Sequence, residues 1–212
     1  MLKRFTIRNK YAFPVISKLL EKIRDGKWFT QLDLKNGYNL IRVGSGHEWN
    51  TAFHTKEGLF ACTVIPFVLT NARTTFREMM DTICIDEKCC VWYMYDILIY
   101  CAETTAEHQA YVQKTVQQCV NHGLAVYLTK SEFYIHETIF LGHIVNGSQV
   151  QMDPAKLKSM FKWPVPTKKK EVQAFLGFAN YYCRFIENYT TKARHSIDLT
   201  NDVPFSYGHT QN

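Results

Sequence analysis

Between Cys89 and Tyr100 the chain is apolar and β-prone on both sides of a single acid, Asp96. A run this short cannot cross a bilayer, which needs about 20 apolar residues. Its content of Val, Ile, Tyr and Trp predicts two buried strands joined by a tight turn. The acid inside it needs a reason, because a carboxylate is costly among buried side chains. Asp33 poses the same question. From Trp28 to Leu34 the pattern has a period of two, so that Trp28, Leu32 and Leu34 face a core while Gln31 and Asp33 lie on the other side.

The remaining pattern mixes helices and strands. Ile16, Leu19, Leu20 and Ile23 recur at helical spacing after Pro14 and before Gly26. Segments 49–55 and 59–65 read as a hairpin around Lys56, Glu57 and Gly58. Thr70 is positioned to cap a helix carrying Ala72, Phe76, Met79 and Ile83, with Arg73 and Arg77 outward. Thr104 with Glu107 forms a capping box for a helix with Val112, Val116, Cys119 and Val120, stopped by Gly123. Strands are expected over 125–128 and 138–145, a helix over 155–161, and a linker at Pro164 and Pro166. A last helix with Val172, Phe175, Leu176, Ala179 and Cys183 on one side follows Thr167, and its first turn holds Lys168, Lys169 and Lys170. Those lysines oppose the helix dipole, so either an anionic partner or plain solvation must favour them. This order of elements is that of an α+β protein.

Composition narrows the classes. Hydrophobic residues are 46% of 212 and aromatics 14%, enough for a core without staples. The seven cysteines are odd in number and lack Cys-x-x-Cys spacing, which argues against zinc and disulfide frameworks and for small buried hydrophobes in a reducing compartment. The net charge of +6 suits an anionic partner without requiring one. With no apolar run of membrane length and no secretory signal at the start, an intracellular protein is expected.

Two acids at the ends of neighbouring strands are what two-metal phosphoryl transfer needs, since carboxylates from adjacent strands can hold two divalent ions. A strand end and a turn also attract acids with no chemistry at all. The surrounding segments carry more information. Leu32-Asp33-Leu34-Lys35-Asn36-Gly37-Tyr38, Thr51-Ala52-Phe53, Ile65-Pro66-Phe67-Val68-Leu69-Thr70-Asn71-Ala72 and Tyr93-Met94-Tyr95-Asp96-Ile97-Leu98-Ile99-Tyr100 resemble, in order, the palm of reverse transcriptases of gypsy-class LTR retrotransposons. Phe140-Leu141-Gly142-His143 and Phe175-Leu176-Gly177-Phe178-Ala179-Asn180-Tyr181-Tyr182 continue the resemblance, which covers about residues 10–200.

The resemblance implies a palm with an antiparallel sheet packed on helices over residues 1–150 and a thumb- or connection-like helical segment over 151–200. An irregular tail follows over 201–212, and the fingers are largely absent. It implies RNA-directed DNA polymerase activity with Mg2+, an RNA template, a DNA primer and deoxynucleotides. Asp33 and Asp96 match metal-binding acids, and Tyr38 the aromatic residue that excludes ribonucleotides. Phe67 and Lys130 match residues at the nucleotide, and Phe140 to His143 the primer grip.

Departures are as informative. Tyr95 stands where the family's turn has its principal metal-binding aspartate, Val68 where it has glycine and Arg73 where it has proline. A neutral phenol cannot replace a carboxylate, and a valine is strained if the glycine's φ is positive. The chain also starts after most of the fingers and stops before any ribonuclease H domain, which is not expected of a complete polyprotein. An impaired polymerase is therefore expected, with a non-catalytic nucleic-acid-binding remnant as the alternative.

Overall fold

The structure, a computed structural model, describes residues 6–84 and 88–200; the tail expected over 201–212 lies outside the described residues. Helix α1 (Ile16–Ile23) buries Leu19, Leu20 and Ile23 along one stripe. It leads through Gly26 into strand β1 (Trp28–Lys35), the hub of the fold. A short hairpin, β2 (Phe53–Thr55) and β3 (Gly58–Phe60), precedes helix α2 (Ala72–Ile83). Strands β4 (Cys90–Tyr93) and β5 (Asp96–Cys101) form the predicted hairpin, followed by helix α3 (Thr105–Asn121). Strands β6 (Ala125–Val126) and β7 (Glu132–Ile135) complete a five-stranded sheet of order β4-β5-β1-β6, in which β7 also pairs with β1. Strand β1 runs antiparallel to β5, β6 and β7.

Strands β8 (Glu137–Phe140), β9 (His143–Asn146) and β10 (Gln149–Met152) make a three-stranded sheet. Helices α4 (Pro154–Phe161), α5 (Lys169–Tyr181) and α6 (Tyr189–Asp198) follow. The chain divides into two units, Met1–Leu141 with Val145–Val150, and Gly142–Ile144 with Gln151–Asn212.

Both faces of the first unit's sheet are covered, and alternation along β1 and β5 assigns each side chain to one of them. Leu32, Leu34, Ile97 and Ile99 join Ala72, Phe76 and Met80 of α2 and Val112 and Cys119 of α3. Phe29 and Leu98 join Leu19, Leu20 and Ile23 of α1 with Phe140 and Val145. The second unit centres on Val172, Leu176 and Ala193. Among the described residues no helix is long and apolar enough to cross a membrane.

Several local expectations change. Trp28 is half-buried, its ring tilted against His136 with centroids 4.0 Å apart, while Phe29 on the other face is fully buried. The β2–β3 hairpin is shorter than expected because residues 48–51 form a 3-10 turn. Thr70 does not cap α2. Asn71 holds that position, and its side chain instead ties the Ile7 carbonyl and the Asn9 amide. Met80, not Met79, is the fully buried methionine of α2. Arg77 turns back to donate to the Trp92 carbonyl and to pair with Asp81 at 2.8 Å, so it does not project outward.

On α3 the inward positions are His108, Val112, Thr115 and Cys119, whereas Val120 is exposed. The strand expected over 138–145 is broken by a two-residue turn, Leu141-Gly142, with φ of 51° and 73°. Cys183 is exposed and Cys62 intermediate, so only five of the seven thiols are buried. The lysines at the start of α5 are balanced from within: Glu171 accepts from the Thr167 N–H at 2.7 Å and hydroxyl at 3.1 Å, and those bonds hold its carboxyl below the usual range.

Candidate active site

The antiparallel register of β1 and β5 pairs Asp33 with Asp96 directly. Facing side chains in such a pair have Cβ atoms about 4.5–5.5 Å apart. Alternation puts both acids on the face that carries Phe29 and Leu98, beyond the end of the apolar cluster. Both are partly exposed. Burial raises the Asp96 carboxyl above its usual range, and the charge of Asp33 raises it further. Two like charges held in register are an arrangement that a bound cation relieves.

The β4–β5 turn is Met94-Tyr95, between the paired Tyr93 and Asp96. Met94 has φ 58° while Tyr95 is not among the positive-φ residues, the pattern of a type II′ hairpin turn. Glycine is favoured at that first position, so methionine there stores strain beside the acids. The Tyr95 carbonyl accepts from the Leu34 N–H at 2.9 Å, fastening the turn to β1.

The Tyr95 ring packs edge-on against Tyr38 at 5.2 Å and tilted against Phe76 at 5.4 Å, while Tyr38 and Phe76 lie 4.9 Å apart. Gly37 makes room for this trio: a Cβ on it would stand 2.5 Å from the Phe76 ring. Burial, the neighbouring Tyr38 and a hydrogen bond to its hydroxyl push the Tyr95 phenol up to about 12. Tyr95 thus carries no charge at physiological pH and belongs to an aromatic cluster.

Tyr38 is itself buried, and Phe67 approaches it at 6.3 Å with its own ring largely exposed. Val68 is 65% exposed and is not among the positive-φ residues. The positive φ that would strain a valine at that position is therefore not adopted. Arg73 lies near enough to lower the Tyr38 phenol against the larger raising effect of burial.

Lys130 reaches the site through Tyr127. The Tyr127 N–H donates to the Asp33 carbonyl at 2.8 Å, and Lys130 and Lys35 place their ammonium groups 4.7 and 5.4 Å from its ring. Ser131 accepts from the Asp33 N–H at 3.2 Å and donates to the Tyr127 carbonyl at 2.7 Å. Sequence reasoning missed Lys35, Tyr127 and Ser131. Lys35 was visible only as the second residue after Asp33 on the same strand face, and the contacts of the other two depend on the pairing of β6 with β1.

Phe140 and Leu141 pack into the apolar cluster of the first unit. In the second unit, His143 is buried, with Tyr181, Tyr182 and Phe185 at 5.4, 5.5 and 5.4 Å. A Cβ on Gly142 would stand 3.2 Å from the Tyr182 hydroxyl. Among the described residues no group of three His, Cys, Asp or Glu side chains is placed to hold a metal. The pair Asp33 and Asp96 fits one divalent cation by charge, and a second would find no further carboxylate in that cluster.

Residues 2–145 match the family model described as reverse transcriptase (RNA-dependent DNA polymerase). The chain is 36% identical over 195 residues to the retrovirus-related Pol polyprotein from transposon 297 of Drosophila melanogaster, covering 91% of this chain and 18% of the relative. It is 33% identical over 204 residues to the corresponding polyprotein from transposon opus of the same fly (95% and 20%). To the transposon Tf2-3 polyprotein of Schizosaccharomyces pombe it is 32% identical over 214 residues (99% and 16%). The chain thus spans about a fifth of these relatives. Its fold is similar to that of the foamy viral protease-reverse transcriptase solved with double-stranded DNA, with TM-score 0.88, 20% identity and coverage of 95% of this chain and 36% of that one. The same viral protein solved with an RNA/DNA hybrid gives TM-score 0.84 at 20% identity, covering 96% and 28%.

Proposed function

Because the chain belongs to the reverse transcriptase (RNA-dependent DNA polymerase) family, we propose that it is a retrotransposon palm whose nucleotidyl transfer is impaired at the metal-binding turn. The observation that carries this reading is the pairing of Asp33 with Asp96 beside a neutral, aromatic-packed Tyr95. Nucleic acid is the partner that the net charge of +6 suits, and the foamy viral protein of similar fold is one solved with double-stranded DNA and with an RNA/DNA hybrid.

Asp33 and Asp96 would hold a divalent cation, Mg2+ in our reading. When bound, such an ion lowers the pKa of an attacking hydroxyl and offsets charge on a phosphoryl group. Tyr38 forms a rigid, buried wall where a sugar would lie, braced by Phe76 and Tyr95. Lys35 and Lys130, aligned on Tyr127, supply positive charge near Asp33 that suits a triphosphate. Tyr95 supplies none of the charge that its position would need. A missing carboxylate at a two-metal site costs on the order of a thousandfold in rate.

The test is Mg2+-dependent extension of a DNA primer on an RNA template, comparing the chain with Tyr95→Asp and using Asp33→Ala as the blank. Extension by Tyr95→Asp alone is the expected result. Extension by the unaltered chain above the blank would show that Asp33 and Asp96 suffice. The alternative, a non-catalytic nucleic-acid-binding remnant, draws on the same neutral Tyr95. It gains if neither protein extends primer while both bind primer-template with a steep salt dependence.

A further inference from the structure

The ladder around Asp33 departs from regular antiparallel pairing. The Leu34 N–H bond to the Tyr95 carbonyl continues the β1–β5 register one residue past the acids, which makes Asp33 and Asp96 a non-hydrogen-bonded pair. Such pairs hold facing Cα atoms about 4.5 Å apart, the closer of the two spacings in an antiparallel sheet. The Asp33 N–H and carbonyl accordingly point away from β5, to the edge of β1 that β6 and β7 share.

On that edge the β6 register, Leu34 with Val126 and Lys35 with Ala125, sets Tyr127 opposite Asp33. A hydrogen-bonded pair at this position exchanges an N–H to carbonyl bond in each direction. One is made, the Tyr127 N–H donating to the Asp33 carbonyl at 2.8 Å. The reciprocal bond is replaced, because Tyr127 opens a 3-10 turn and its carbonyl accepts from the Lys130 N–H at 3.1 Å. The Ser131 hydroxyl fills the gap, accepting from the Asp33 N–H at 3.2 Å and donating to the Tyr127 carbonyl at 2.7 Å. A hydroxyl has the one proton and the free lone pair that this relay needs. Ser131 itself stands where the turn ends and β7 begins, next to Glu132, which pairs with Gln31.

We propose that Ser131 is a positioning residue for the proposed nucleotidyl transfer: its hydroxyl, inserted into the β1–β6 ladder, fixes the Asp33 backbone so that its carboxylate meets Asp96 across one divalent cation. This role rests on the cation site proposed for that pair. Ser131 acts through Asp33 and is not itself a ligand. Two carboxylates at the closer spacing repel each other, and a released Asp33 backbone lets the pair spread. Groups that orient a metal ligand matter to metal affinity for this reason.

The test is Mn2+ binding to the full chain, read from the electron paramagnetic resonance signal of free Mn2+, with urea midpoints measured alongside. Ser131→Ala is expected to weaken Mn2+ binding several-fold, and Ser131→Thr, which keeps the hydroxyl, to retain the parent affinity. Asp33→Ala is the reference for loss of the site. Parent affinity in Ser131→Ala, while Asp33→Ala loses it, would overturn the role of Ser131 and leave the acid pair standing; a lowered urea midpoint would then mark the hydroxyl as structural only. Equal weakening in Ser131→Ala and Ser131→Thr would also overturn it, because the hydroxyl would not be the cause. If Asp33→Ala binds Mn2+ as the parent does, the cation site fails and the positioning role fails with it.

Discussion

At the scale of single residues, the acid pair is the feature that stability alone does not explain. Asp33 and Asp96 face each other across β1 and β5, and like charges directly opposite are unfavourable. Burial and then the charge of Asp33 raise the Asp96 carboxyl. A carboxyl raised on folding opposes the folded state at neutral pH, and that opposition disappears as pH falls through the raised value. Asp96→Asn is therefore expected to raise Tm by a few degrees at pH 7 without added metal. The gain should shrink on acidification and vanish below the ordinary value of 3.8. Thermal scans from pH 7 to pH 3 check this, and a gain independent of pH would refute the electrostatic account. Both acids were legible in the sequence because each interrupts an apolar β pattern. The inward packing of Tyr95 was not, because it depends on Gly37 leaving space for Phe76.

At the scale of elements, local signals were read well where the interaction is local. The Thr104 capping box is present in full, with the Glu107 N–H donating to the Thr104 hydroxyl at 3.3 Å and the Thr104 N–H donating to the Glu107 carboxylate at 3.1 Å. The Thr104 N–H and hydroxyl, both donating to that carboxylate, hold Glu107 below the usual carboxylate range. Thr104→Ala should cost about 0.5–2 kcal/mol. Urea denaturation followed by circular dichroism measures it, and an unchanged midpoint would mean that packing of α3 alone sustains its first turn. The cap of α2 was misread for a complementary reason: Asn71 spends its amide on the distant Ile7 and Asn9, a choice invisible to local pattern. Strand β7 and the Leu141-Gly142 turn were missed likewise. Each depends on partners far along the chain or on a leucine accepting a positive φ.

At the scale of the whole molecule, each unit contains a buried histidine. His108 in the first bonds Thr30 through Nε2 at 2.9 Å, and His143 in the second lies among aromatic rings. Burial lowers both, with Arg184 adding to the effect at His143. A histidine lowered on folding stabilises the protein above its unfolded value of about 6.5, and that contribution is lost as pH falls toward the folded value. Stability should thus be flat from pH 8 to 7 and decline below about 6.5. His108→Gln and His143→Gln should each flatten part of that decline, which urea midpoints between pH 8 and 5 would reveal. An equally steep decline in both variants would place its origin in other groups.

Strand β1 takes its ladder partners from β5, β6 and β7, all later in the chain, the last ending at Ile135. During synthesis from the N-terminus, β1 leaves the ribosome with an apolar face and no ladder partner until β5 follows. Asp33 and Asp96 come face to face only when that sheet closes, so the acid pair is among the later things the chain builds. Until then the exposed β1 edge is a template for pairing with a second nascent copy. A truncated product ending before Asp96 would keep Asp33 and lose every strand that pairs with β1.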